Sequence, residues 1–186
     1  IDAHTVVGFT GYLNQSHDQD QVERSAPAQP DLRAVDGYDA QERLIEWVRG
    51  FGVTTMHTGH GPGALVSGQT MIVKTTGETV EDAVIVPSAM VAATLGTRAR
   101  TSEPGKSPGS RSKAIAMLRN DLIKTQEYVK KKPEARDLRL EALARVIGCE
   151  RPLLVTVHKA NDILSAIRLG KEFGIEYPGL HTRVLE

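Results

Sequence analysis

The stretch Pro152-Leu-Leu-Val-Thr-Val-His158 constrains this chain most. It is continuous, apolar and β-branched rather than alternating, which is how a strand reads when both of its faces are buried. A helix-spaced segment follows from about Asn161, with Ile163, Ala166, Ile167 and Gly170 inward, and Gly174 predicts its end. A two-face strand followed at once by a helix is a parallel β/α unit.

The same alternation extends upstream. Residues 1–8 predict a short buried strand, and residues 9–36 a long loop rich in Asp, Gln and Pro. Asp39 predicts the cap of a helix carrying Leu44, Ile45, Val48 and Phe51, ended by Gly52. Residues 53–59 predict a strand, 59–70 a glycine-rich loop and 71–87 two short strands around a Gly-containing turn; 88–96 is ambiguous. Residues 97–110 have the composition of a mobile surface loop. Ser112 predicts the cap of a long helix with Ile115, Leu118, Leu122, Ile123 and Val129 on one face. Asp137 predicts the cap of another, with Leu138, Leu140, Leu143, Val146 and Ile147. The fold class is α/β.

Charge narrows the partners. The 186 residues sum to a net charge of zero, so nothing points to nucleic acid. The one basic run, Lys130–Lys132, reads as a solvated helix end. The single cysteine, Cys149, excludes an internal disulfide and a cysteine-based zinc cluster. No apolar run approaches the roughly 20 residues of a membrane span.

In parallel β/α folds, chemistry sits at the carboxyl ends of strands. His4, His57 and His158 each fall at a predicted strand end, and His60 lies in the loop just after the second strand. Neutral imidazoles placed so can share a metal.

These residues carry a resemblance. "IDAHTVVG", "WVRGFGVTTMHTG", "GQTMIVKT" and "PLLVTVHKANDILSAIRLGKEFGI" look like the amidohydrolase superfamily, and within it the imidazolonepropionase-like amidohydrolases. The similarity runs over roughly residues 1–175. It implies part of a (β/α)8, TIM-type barrel of the metal-dependent hydrolase kind, with residues 176–186 as an unpatterned tail. It also implies a divalent metal, zinc foremost, that activates water to hydrolyse an amide or cyclic amide C–N bond. His4 resembles the first histidine of the family's His-x-His and His158 its single fifth-strand histidine, so these two are the expected metal ligands. Val6 stands where the second histidine belongs. The family's remaining ligands, a sixth-strand histidine and an eighth-strand aspartate, have no counterpart. The tail, with Pro178 and Gly179, predicts a truncated product without a sixth strand. Gln69, Lys74 and His57 are the expected substrate contacts, and a small molecule is the expected substrate. An open barrel half predicts self-association.

Two other classes bear on the reading. "GALVSGQT", 63–70, has the Gly-x4-Gly spacing of a phosphate loop, but Gln69 replaces the lysine and a strand follows where a helix should. The alternative to the enzyme is a non-catalytic binding or scaffold relative that has lost its metal site, as Val6 would allow.

Overall fold

The computed structural model describes residues 1–13, 15–97, 99, 108–131, 134–175 and 180–182. Most of the expected loop 97–110 and of the tail 176–186, with Lys132 of the basic run, lies outside them. Among the described residues, six strands form one sheet that curls like half of a barrel, giving a mixed α/β fold. Strands β1 (Thr55–Gly59), β2 (Val66–Lys74), β4 (Val91–Thr94), β5 (Leu153–Val157) and β6 (Leu180–Thr182) lie in that order, with β3 (Val84–Val86) paired to β2.

The sheet is not all parallel. β2 runs antiparallel to both β1 and β4, whereas β4, β5 and β6 are mutually parallel. Only residues 60–65 join β1 to β2. That is too short for a parallel crossover, which needs about a dozen residues or more, so the chain must fold back. β2 also begins inside the segment expected to be a glycine-rich loop. The register slips between Val66 and Gly68, where Gly68 takes φ +134°, a backbone that side-chain-bearing residues avoid.

The expected first strand shrinks to a few bonds. Asp2 bridges Met56 in parallel, and the Thr5 amide donates to the His57 carbonyl at 2.9 Å. Beyond Thr5 the chain turns, and the described residues up to 38 arch over the sheet. The tail brings the opposite surprise. Leu180–Thr182 forms a strand, although none was expected after β5. The open edge of β5 offers a backbone ladder that any short extended segment can join.

Helices α1 (Arg43–Gly50) and α2 (Val80–Ala83) sit at the β1–β2–β3 side; α3 (Arg111–Lys131), α4 (Leu138–Ile147) and α5 (Ala160–Phe173) are the larger ones. Asp137 caps α4 as expected, accepting from the Arg139 and Leu140 amides. Two other caps shift. The Ser110 hydroxyl, not Ser112, accepts from the Lys113 amide at the start of α3. Asp39 binds the Gln41 amide in a turn, and α1 starts only after Glu42.

Two cores result. The larger holds Leu118, Leu122, Val146, Leu153, Val155, Val157 and Leu169, so α3, α4 and α5 close on β5 and its neighbours. The smaller gathers Phe9, Ala34, Ile45, Met56, Met71 and Val73, joining the arched segment and α1 to β1 and β2. Ile167 was expected inward, and Ile123 and Val129 on the apolar face of α3, yet all three are partly exposed. No helix among the described residues is long and apolar enough to cross a membrane.

Candidate functional site at the carboxyl end of the sheet

The Asp2 segment, β1, β4 and β5 share one direction, because β1 and β4 both oppose β2. His4 beside β1, His60 after β1 and His158 after β5 therefore stand at one end of the sheet, the end where such folds keep their chemistry. His4 meets His57 edge to face, with ring centroids 5.9 Å apart.

His57 is fully engaged. Its Nδ1 lies 3.0 Å from the Ala3 carbonyl and its Nε2 2.6 Å from the Thr70 hydroxyl. A carbonyl only accepts, so Nδ1 carries the proton and Nε2 receives the hydroxyl proton of Thr70. The Thr70 oxygen in turn accepts the Met90 amide at 3.1 Å. Burial pushes the imidazole below the ordinary histidine value, against the Ala3 bond and the charge of Asp2. His57 thus ties the first segment to β2 across β1.

Gln69 and Lys74 stand elsewhere. Gln69 is buried and pairs with Val91, the first residue of β4. It donates to the Pro30 carbonyl at 3.1 Å and accepts from Ser88 at 2.7 Å and from Arg151 at 3.2 Å. Arg151 also bonds Ser88. Lys74 is exposed, pairs with Thr55 and donates to its hydroxyl at 3.0 Å. Both residues lie toward the amino ends of the parallel strands. The structure brings His4 and His57 together and sets Gln69 and Lys74 apart from them.

Three buried polar groups left little sign in the sequence. Glu42, just before α1, turns its carboxylate back to the Gly8 amide and, at 3.2 Å, the Thr10 hydroxyl. Burial pushes its pKa up, against those bonds. Tyr38, packed beside it, is pushed up to about 12 by burial and by the charges of Glu42 and Asp39. Asp162, four residues after His158, is only 4% exposed and accepts from Arg111 Nε at 2.7 Å. A methyl group on Gly96, just past β4, would sit 2.6 Å from its carboxylate. A groove of about 650 Å³ opens there between α3 and α5, lined by Arg111, Arg119, Asp162 and Arg168. Glu42 was hidden because its partners lie 32 and 34 residues away; Asp162 left the faint signal of an acid in the first turn of an apolar helix.

A metal finds no built site here. Among the described residues, no three His, Cys, Asp or Glu side chains converge on a point that would hold an ion. Zinc sites use three or four protein ligands. Val6 has no donor, and its methyl lies so close to Gly61 that a Cβ there would be 2.9 Å away. The described residues alone are too few to complete the metal site that the resemblance implies.

No protein-family model matches the chain, and no curated protein does. The crystal structure of an amidohydrolase from Thermotoga maritima MSB8 is similar, with a TM-score of 0.91 and 27% sequence identity over 95% of this chain. The match covers 49% of that protein, so the chain spans about half its length. The chain is amidohydrolase-like in structure.

Proposed function

We propose that this chain is part of an amidohydrolase-type hydrolase of the imidazolonepropionase-like kind, acting on the C–N bond of a small amide or cyclic amide. The observation that carries the reading is the placement of His4 and His158 at the carboxyl end of a half-barrel sheet that matches an amidohydrolase. His4 and His158 are the proposed ligands of a divalent metal, zinc first. Two imidazoles are fewer than a zinc site needs, so the chain as it stands should bind zinc weakly. Gln69, Lys74 and His57 remain proposed substrate contacts, His57 being the one beside His4.

The test is a panel of N-acyl amino acids, lactams and cyclic imides incubated with the chain, with and without added zinc, against the His158→Ala variant. Hydrolysis that His158→Ala abolishes supports the reading. Hydrolysis unchanged by that substitution, or none with any substrate, favours the non-catalytic relative. A thermal-shift titration asks the metal question separately. Zinc should leave the parent's unfolding midpoint unchanged and raise that of Val6→His, and His4→Ala in the Val6→His background should remove the gain. Equal stabilisation of parent and variant would place the metal elsewhere.

Self-association is proposed as well. Among the described residues, the sheet ends in the Asp2 segment on one side and β6 on the other, and neither pairs with a further strand. Open edges recruit strands. Light scattering should report a dimer or larger species; a stable monomer at high concentration would remove the proposal.

A further inference from the structure

We propose that His60 is an acid-sensitive latch that holds residues 7–9 and 20–32 closed over the carboxyl end of β1. This goes beyond the hydrolase reading and does not depend on it. These residues form a strap pinned along its length by hydrogen bonds to its backbone. The Thr58 hydroxyl donates to Val7 at 2.7 Å, the Gly61 amide to Gln21 at 2.7 Å, the Gln29 amide to Val66 at 2.9 Å and the Gln69 amide to Leu32 at 2.7 Å.

His60 sits beneath this strap, 8% exposed. Its ring meets that of Phe9, with centroids 5.7 Å apart. Its other side rests in a cradle made by a missing side chain: a Cβ on Gly68 would lie 2.5 Å from His60 Cδ2 and 2.9 Å from the Leu32 carbonyl. Phe9 and Leu32 belong to the strap, so the ring is clamped between strap and sheet. Neither ring nitrogen makes a well-formed hydrogen bond. The charged group facing it is Asp20, on the strap; Phe9, Leu32 and Gly68 bring no charge. His57, three residues upstream, has both nitrogens engaged elsewhere.

Such a cradle suits the neutral ring and not the cation. Burial holds the imidazole below its ordinary value, and the Asp20 carbonyl and charge only partly offset this. The sign follows from linkage. The open strap lets His60 reach water and take a proton near pH 6.5, whereas the closed one refuses it until lower pH. Closure is therefore fully favoured above that value and weakens as the pH falls below it.

Hydrogen exchange on the full chain tests the latch. The Gly61 and Gln69 amides, both bonded to the strap, report its opening. Their opening constant, corrected for intrinsic exchange, should rise about tenfold per pH unit below 6.5, as uptake of one proton requires. Amides of α3 should stay protected over the same range. In His60→Leu the opening constant should not change with pH. A flat response in the parent, or the same slope in His60→Leu, overturns the proposal. If His60→Leu fails to fold, the ring proton of His60 in the parent decides the matter by NMR. A ring that stays neutral well below pH 6.5 while the strap is closed supports the latch, and a midpoint at or above 6.5 refutes it.

Discussion

Gly8→Ala should destabilise the chain by about 2–5 kcal/mol, through backbone strain and overpacking together. Gly8 holds φ +94°, where an alanine is strained, and a Cβ built there lies 2.2 Å from the Tyr38 ring. Its amide also anchors the buried Glu42 carboxylate, so the backbone cannot turn away without stranding that group. Denaturant unfolding measures the loss. The double variant Gly8→Ala/Tyr38→Ala separates the two causes: removing the ring should recover the steric part and leave the φ strain. If the double variant is no better than the sum of the single ones, the ring contact is not the cause.

His57→Leu should cost about 1–3 kcal/mol, since it removes the acceptor of the buried Thr70 hydroxyl and the donor to the carbonyl of Ala3, an exposed residue that water can reach. The Ala3 carbonyl loses its donor and the Thr70 hydroxyl its acceptor. Leucine fills much of the space, so a cavity adds little. Acid sensitivity gives a second reading. His57 is held neutral in the folded chain, so its contribution is intact above pH 6.5 and declines as the pH falls below it. Urea midpoints measured from pH 7.5 to 5 should therefore fall less steeply in His57→Leu than in the parent. An unchanged slope would mean that the imidazole charges in place, with the Thr70 hydroxyl turning toward the Met90 carbonyl 3.3 Å away.

β5 was legible because its five residues are all buried, and a strand covered on both faces leaves no alternation to misread. α5 was legible for a similar reason, with Gly174 in the left-handed conformation just where the pattern stopped. β2 was not. Gly68 and its bulge made a strand look like a loop, and its direction depends on the shortness of residues 60–65 rather than on any local pattern. At the site, a histidine at a strand end was visible, but its partners were not. Gln69 looks like a loop residue over the barrel mouth, yet its bonds reach Pro30 and Arg151, 39 and 82 positions away. Such bonds carry no local signature.

The bond from Asp2 to Thr55 has a consequence for the order of assembly. It closes a loop of more than fifty residues for a handful of contacts, whereas β1 and β2 meet across six. The hairpin should form early, and the first five residues should dock late, once a finished edge exists to receive them. What arrives last also leaves first. His4 rides on that segment, so the proposed ligand would belong to the least durable part of the sheet, and its presence in place would report that folding is complete. Pulse-labelling of amides during refolding would show it: protection at Thr5 and at His57, whose amide bonds the Asp2 carbonyl, should lag that of Met71 in the hairpin, and simultaneous protection would contradict this order.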